Sequence, residues 1–145
     1  MIKIDIVCVG KIKEEFYRAA VAEYAKRLSR FCKLEIIELP EGKNLEEEGN
    51  TILKRMRGYV VALCVEGDKL SSTEFASKLK ALCDRGEHIT FLIGSSYGLS
   101  ASVKQASHQK LSFSDMTFPH QLMRVILCEQ IYRAFMINGG GEYHK

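Results

Sequence analysis

The segment Gly94-Ser95-Ser96-Tyr97-Gly98 contains the pattern G-x-S-x-G, which is typical of the nucleophile turn of serine hydrolases. In those enzymes an acidic residue and a histidine follow the serine along the chain, and Asp115 and then His120 or His144 occur here in that order. One hypothesis is therefore a small serine hydrolase with Ser96 as the nucleophile and His120 or His144 as the base. The pattern is short and arises often by chance, so it does not exclude other functions.

The C-terminal segment GGGEYHK is the second stretch with side chains that could do chemistry. Terminal residues are often disordered, and three successive glycines leave the backbone free to move. Tyr143, however, could stack on a nucleobase, and His144 could donate or take a proton near neutral pH. We expect Tyr143 and His144 to bind substrate, with His144 also a candidate catalytic base.

An apolar segment from about residue 120 to residue 137 predicts a long helix with few polar side chains. Its polar members include Arg124, Glu129 and Arg133, and the spacing of the last two permits an ion pair on one helix face. A helix that is apolar nearly all round has to be buried on nearly all sides. One small sheet cannot cover it, so a second copy of the chain is expected to do so in an obligate homodimer.

The composition is that of one globular domain covering residues 1–145, with 46% hydrophobic and 27% charged residues. The five cysteines are an odd number without C-x-x-C spacing, which indicates reduced thiols and a cytoplasmic protein. The four histidines form no H-x-x-x-H pair, so no metal site is expected. No apolar run approaches a membrane span, and the opening residues do not resemble a secretory signal.

Four apolar, β-branched runs predict buried strands, and they end at Gly10, Pro40, Gly67 and Gly94. Helical patterns lie between them, and a short strand, KLSF, precedes the long apolar helix. This alternation predicts an α/β fold with a parallel sheet. Ligands bind such sheets beyond the carboxyl ends of the strands, where glycines would allow a close approach.

Capping residues indicate where two of the predicted helices begin. Asn44 is a predicted cap for a helix with Leu45, Gly49, Ile52 and Met56 on one stripe. Ser71 and Glu74 form a predicted capping box for the next helix. No G-x-G-x-x-G follows the first strand and no Walker A sequence is present, so nucleotide binding of those two kinds is not expected.

A more specific likeness lies in the segments FLIGSSYGL, LSFSDMTFPHQLMRVILCEQIYRAF and the terminal YHK. Together with EIIELPEGKN and VALCVEGDKLSSTEFA, they make the whole chain similar to the ribosomal RNA large subunit methyltransferase H family, a group of SPOUT-type enzymes. The resemblance implies an α/β fold with a C-terminal trefoil knot, a homodimer and S-adenosylmethionine as cofactor. It also implies methylation of ring nitrogen 3 of a pseudouridine in large-subunit (23S) ribosomal RNA on the assembled ribosome.

The resemblance also assigns residues to the expected site. It implies a cofactor pocket formed by Leu63, Gly94, Phe113, Ser114, Asp115, Met116, Thr117 and Phe118. Arg124, Glu129, Arg133 and His144 are the catalytic candidates, and Tyr143 and His144 would contact the RNA. Family members typically have a second glycine where this chain has Ser95, a change that would strain the loop if that residue needs a positive φ.

The net charge of +3 is small for a protein that binds free RNA, which favours a substrate recognised as an assembled particle. RNA contacts would come from scattered basic residues, namely Lys11, Lys13, Lys26, Arg27, Arg30, Lys54, Arg55 and Arg57. A third hypothesis is a ribosome-associated RNA-binding module without a cofactor. Neither the methyltransferase nor the binding hypothesis predicts a metal ion or a membrane partner.

Overall fold

A computed structural model describes residues 1–144; Lys145, the last residue of the YHK segment, lies outside the described residues. The strands are β1 (Ile2–Val9), β2 (Cys32–Leu39), β3 (Tyr59–Lys69), β4 (Ile89–Ile93) and β5 (Gln109–Ser112). The helices are α1 (Glu15–Leu28), α2 (Leu45–Leu53), α3 (Ser72–Asp84), α4 (Ala101–Ala106) and α5 (His120–Asn138). The alternation expected from the sequence is therefore confirmed.

The strands form one five-stranded sheet in the order β2-β1-β4-β3-β5, and every neighbouring pair is parallel. β1 pairs with β2 along its whole length, from Ile2 opposite Cys32 to Val9 opposite Leu39. All carboxyl ends consequently lie at the same edge of the sheet. The predicted parallel α/β sheet is confirmed.

Helices cover both faces of the sheet. α5 packs between α1 and α3 on one face, while α2 and α4 pack together on the other. Successive side chains of β1 serve the two cores: Ile6 and Cys8 belong to one, and Val7 and Val9 to the other. Burial on both faces explains why the strand sequences are continuously apolar.

The predicted helix caps are present. The Asn44 side chain accepts a hydrogen bond from the Glu47 backbone N–H at 2.8 Å. The Ser71 hydroxyl accepts from the Glu74 N–H at 3.1 Å, and the Glu74 carboxylate accepts from the Ser71 N–H at 2.8 Å. These bonds satisfy N–H groups that have no partner inside the helix.

Two sequence-based boundaries were wrong. The third strand does not end at Gly67 but continues to Lys69, with a shift of register against β5 between Leu63 and Asp68. A Cβ atom at Gly67 would overlap the backbone of β5, so this glycine permits close strand approach rather than a chain reversal. The second helix ends at Leu53, so Met56 is not part of its stripe.

Among residues 1–144, the helices are too short or too polar to serve as membrane spans.

Candidate functional site

A cavity of about 560 Å³ opens beyond the carboxyl ends of β3 and β4. Two connections enclose it: the tight turn of residues 94–98 after β4, called here the glycine turn, and the loop of residues 113–118 after β5. The start of α5 closes a further side. This first cavity occupies the sheet edge at which the strand pattern predicted a ligand.

The glycine turn is held by buried contacts. A Cβ atom at Gly94 would overlap the carbonyl group of Gly98, so only glycine fits there. The Gly98 N–H donates to the Ser95 carbonyl at 2.8 Å, and Gly98 has a φ of +81°, a conformation that favours glycine. The turn therefore has a fixed shape in which the backbone borders the cavity directly.

Ser95 occupies a position where the family that this chain resembles usually has glycine. Its side chain contacts a buried carboxylate. Its hydroxyl donates to Glu48 at 2.6 Å, and Glu48 is only 3% exposed. The other carboxylate oxygen of Glu48 accepts from the Gly42 N–H at 3.1 Å. No non-glycine residue in the described range has a positive φ, so serine introduces no backbone strain at this position.

The 113–118 loop is held more loosely. Ser114, Met116, Thr117 and Phe118 line the first cavity, and Met116 is 75% exposed. Asp115 is directed outward and pairs with Lys69 at the end of β3. With Leu63 and Gly94, six of the eight residues predicted to bind the cofactor line this cavity.

The remaining two predicted cofactor residues lie elsewhere. Asp115 does not line the cavity, and Phe113 lines a second, smaller cavity on the α5 side of the loop. The lining residues that the sequence did not assign to the cofactor pocket include His120, Met123, Lys104 and Ser95, and Glu48 lies behind them. The position of His120 immediately after the loop was a usable signal, whereas nothing in the sequence connected Glu48 with Ser95.

His120 contributes a polar atom without a partner. Within residues 1–144 its Nδ1 atom is buried and makes no hydrogen bond, and the side chain borders the first cavity. Burial and then the positive charge of Arg124 lower the pKa of His120, which favours the neutral imidazole. A neutral imidazole can both donate and accept a hydrogen bond, so His120 is suited to contact a polar group of a ligand.

Arg124 lies one turn further along α5 and is 0% exposed. Its Nη2 donates to the carbonyl oxygens of Val9 at 2.9 Å and Gly10 at 2.8 Å, and its Nη1 donates to the Glu38 carboxylate at 2.9 Å. These bonds attach the start of α5 to the carboxyl ends of β1 and β2. In this conformation the guanidinium does not face solvent.

The other polar candidates form a separate group, called here the tail cluster: Glu129, Arg133, Tyr143 and His144. One Glu129 oxygen accepts from Arg133 and from the Tyr143 hydroxyl, each at 2.8 Å. Arg133 also donates to Nδ1 of His144 at 3.1 Å. Burial and then the hydrogen bond to Glu129 raise the pKa of Tyr143, so its hydroxyl stays protonated.

The tail is thus folded against α5 and does not reach the first cavity of the same chain. Glu129 in the tail cluster follows Met123, the last α5 residue that lines this cavity, by six positions, a rise of about 9 Å. The structure brings Glu129, Arg133, Tyr143 and His144 together, as the sequence led us to expect of one site. It does not bring Arg124 into that group.

The hydrolase arrangement is not assembled. Ser96 is exposed, Asp115 pairs with Lys69, and His144 bonds to Arg133. Among the hydrogen bonds of residues 1–144, none joins Ser96 to a histidine. The same part of the chain has no cluster of three or more histidine, cysteine or acidic side chains placed to bind a metal ion.

Comparison with known proteins gives concordant results. A family model described as "Predicted SPOUT methyltransferase" matches residues 2–144. The chain is 48% identical to "Ribosomal RNA large subunit methyltransferase H" of Streptococcus uberis, with 99% of each chain covered. It is 50% identical to the protein of the same name from Bifidobacterium animalis subsp. lactis, over 98% of this chain and 99% of the relative.

Several solved structures resemble the fold. The SpoU methyltransferase AviRb from Streptomyces viridochromogenes, in complex with the cofactor AdoMet, superposes with a TM-score of 0.52 at 11% sequence identity. The match covers 97% of this chain and 59% of that one. At this identity the likeness concerns the fold alone.

Proposed function

The chain belongs to the SPOUT methyltransferase family, and we propose that it transfers the methyl group of S-adenosylmethionine to nitrogen 3 of a pseudouridine in large-subunit ribosomal RNA. The observation that carries the proposal is the first cavity, which is bordered by Leu63, Gly94 and four residues of the 113–118 loop. The relatives named for ribosomal RNA methylation match this chain from end to end. Work on ribosomes would place the protein in the cytoplasm.

The first cavity fits the cofactor chemically. Leu63, Ile93 and Phe118 offer apolar surface to an adenine ring, and the backbone of Gly94 borders the same cavity. The imidazole of His120 borders the cavity, which places this side chain to contact a polar group of the cofactor. When bound, S-adenosylmethionine supplies a methyl group that is already electrophilic, so the protein has mainly to align the target nitrogen with it.

Nitrogen 3 of pseudouridine carries a proton that has to leave. His144 and Glu129 are the candidate groups to take it, and both belong to the tail cluster. Arg133, which contacts both, can neutralise negative charge that develops on the ring. Arg124 acts by fixing the start of α5, and hence the end of the 113–118 loop, since its donors already bind Val9, Gly10 and Glu38.

The proposal includes a homodimer and the C-terminal trefoil knot of the family. α5 retains half-buried apolar side chains, among them Leu122, Val125 and Met136, that a second copy would cover. Glu129 of the tail cluster lies about 9 Å along α5 from Met123, the last residue of this helix that lines the first cavity of the same chain. An assembled site would therefore form either by movement of this tail or by the tail of the partner subunit.

RNA would approach at the carboxyl edge of the sheet. Lys11 and Lys13 follow β1, are exposed, and lie on that edge. Lys54 and Arg57 connect α2 to the start of β3 and so lie at the opposite edge. We expect loss of Lys11 and Lys13 to weaken RNA binding more than loss of Lys54 and Arg57.

Mass mapping of large-subunit RNA from cells lacking this protein tests the function. The methylated pseudouridine should be absent and should return when the gene is restored. Its persistence in the deleted strain would contradict the proposed reaction. Calorimetric titration of the purified protein with S-adenosylmethionine tests the cofactor separately, and an absence of binding would favour the RNA-binding hypothesis.

Removal of residues 143–145 tests the tail. We expect methylation to be abolished while the far-ultraviolet circular dichroism and the dimer mass stay unchanged, because the tail contributes Tyr143 and His144 and no part of a helix or strand. Removal of Met1 is a matched control at the other, exposed terminus. Full methylation by the shortened protein would mean that Tyr143 and His144 take no part in the reaction.

A further inference from the structure

The second cavity, of about 240 Å³, lies between the start of α3, β5 and α5. Three phenylalanine rings, of Phe75, Phe113 and Phe118, contribute to its walls. Its side-chain hydroxyl and amide groups come from Ser71, Ser72 and Gln130. Phe118 also lines the first cavity, so the two spaces adjoin across one ring. Flat aromatic walls with a few polar groups at one side are suited to a planar heterocycle.

The amide of Gln130 is fixed in one orientation. Its NH₂ group donates to Glu129 at 2.8 Å, and its oxygen accepts from the Ser72 hydroxyl at 2.7 Å. Because a carboxylate only accepts, the amide cannot be reversed without placing two oxygens together. Among the described residues these are the hydrogen bonds of the Gln130 side chain, which leaves one N–H and one lone pair on its oxygen for a ligand.

The second cavity also lies next to the proposed proton acceptors. Glu129 accepts from Gln130 through one oxygen and from Tyr143 through the other. A continuous set of hydrogen bonds thus runs from Ser72 through Gln130 and Glu129 to the tail cluster. A ring placed in this cavity has the cofactor cavity on one side and the tail cluster on the other.

Building on the proposed function, we infer that the second cavity receives the target base and that Gln130 hydrogen-bonds the edge formed by N1–H and the carbonyl at C2 of pseudouridine. Enzymes that modify a base take it out of the stack into a pocket with aromatic or apolar walls. The free lone pair and N–H of Gln130 complement one donor beside one acceptor. This contact also leaves nitrogen 3 without a hydrogen bond to Gln130.

The inferred contact distinguishes pseudouridine from uridine. Pseudouridine is attached to ribose through carbon 5, so its nitrogen 1 carries a free proton, whereas uridine in the same orientation presents a C–H group there. Uridine would leave the Gln130 oxygen facing a group that donates no ordinary hydrogen bond. A site built for a donor disfavours the analogue that lacks it, because one lone pair of the Gln130 oxygen, beside the bond from Ser72, is then left without a donor.

The test replaces Gln130 with methionine, which keeps the length and removes both hydrogen-bonding groups. Methylation is measured on intact ribosomes that carry pseudouridine or, after loss of the pseudouridine synthase, uridine at the target. We expect the wild-type protein to prefer pseudouridine by up to about tenfold, the contribution of one hydrogen bond. Gln130→Met should remove this preference: kcat/KM should fall on pseudouridine by the larger factor and on uridine by a smaller one, since uridine still presents a carbonyl group to the Gln130 N–H.

Binding gives an independent measurement. With S-adenosylhomocysteine present to prevent transfer, Gln130→Met should raise the Kd for pseudouridine-containing ribosomes clearly more than the Kd for uridine-containing ribosomes. Gln105→Met, on the exposed surface of α4, is the matched control and should change neither. If Gln130→Met fails to fold, Ser72→Val serves instead, because it removes the donor that orients the amide and should reduce the preference partially.

The possible results of these experiments distinguish a failure of the Gln130 assignment from a failure of the proposed function. Equal loss on both substrates, or no loss on either, would overturn the assignment of Gln130 while methylation by the wild type keeps the proposed function intact. Gln130→Met could instead dissociate the dimer and leave the preference for pseudouridine unchanged. That result would mean that a second copy of the chain fills the second cavity, and it would also overturn the assignment of Gln130. A wild-type protein that methylates neither ribosome would overturn the function and this inference together.

Discussion

The two walls of the first cavity differ in how they are held. The glycine turn, residues 94–98, is fixed by a buried hydrogen bond to Glu48 and by a glycine that no larger residue can replace. The 113–118 loop is held at its start by the Ser112 hydroxyl, which donates to the Ser114 carbonyl at 3.0 Å. Beyond that bond it is held by an ion pair between exposed side chains, and its Met116 is largely exposed. One wall is therefore preorganised before a ligand binds, whereas the other is free to adjust to it.

This difference suits a methyltransferase. A preformed wall reduces the entropy lost when the cofactor binds, because its backbone is already in place. An adjustable wall next to the second cavity can accommodate the cofactor and an RNA base in succession. Substitutions in the two walls should consequently differ in the size of their effects.

Gly94→Ala should have the largest effect, because the added methyl group would overlap the carbonyl of Gly98 and displace the turn. A displacement of about an ångström at a binding site can cost about a hundredfold, and we expect a loss of that order in affinity for S-adenosylmethionine. Calorimetry measures the affinity, and a thermal melt verifies the fold.

Ser96→Ala is the control for Gly94→Ala, since Ser96 is an exposed residue of the same turn. It should bind S-adenosylmethionine and methylate ribosomes as the wild type does. Equal affinities for Gly94→Ala and Ser96→Ala would contradict the rigid turn. Loss of activity in Ser96→Ala would instead revive the serine-nucleophile hypothesis.

The rigid wall was also the more predictable one. Gly94 follows an apolar strand, and ligands bind at the carboxyl ends of parallel strands. The sequence alone therefore predicts that Gly94 lies at a ligand site. The same rule misled us at Gly67, because an apolar run followed by glycine does not distinguish a strand end from a point of close strand contact. Pairing with β5, a long-range property, decided between the two.

The polar candidates show a second limit of the sequence. The spacing of Glu129 and Arg133 predicted their ion pair, which is present at 2.8 Å. Periodicity could not reveal that Arg124, five residues before Glu129 in the same helix, faces the carboxyl ends of β1 and β2. Its partners are more than 80 residues away in the chain, so only the three-dimensional packing shows that it fixes α5.

Glu48→Gln should have an intermediate effect on the rigid wall. An amide presents only one oxygen, so either the bond from Ser95 or the bond from Gly42 loses its charged acceptor. Hydrogen bonds to charged groups contribute about 1.5–3 kcal/mol, and we expect the Kd for S-adenosylmethionine to rise by roughly tenfold.

A double-mutant cycle with Ser95→Gly shows whether Glu48 acts through Ser95. In the Ser95→Gly background, which has the residue usual in the family, Glu48→Gln should have a clearly smaller effect on the Kd. Effects that simply add would contradict the coupling. They would mean that Glu48 stabilises only the segment around Gly42.

Asp115→Asn, in the adjustable wall, should have the smallest effect. Its partner Lys69 is 55% exposed and Asp115 itself 81% exposed, and ion pairs between exposed groups contribute at most about 1 kcal/mol. We expect the Kd for S-adenosylmethionine to change by less than about threefold at low salt and by less still at high salt, where screening weakens the pair. Calorimetry at two ionic strengths measures both Kd values. The control is Lys80→Met, which breaks an exposed ion pair with Asp84 on α3.

A loss of affinity from Asp115→Asn as large as that from Glu48→Gln would mean that the 113–118 loop is also preorganised. The contrast between the two walls would then be wrong.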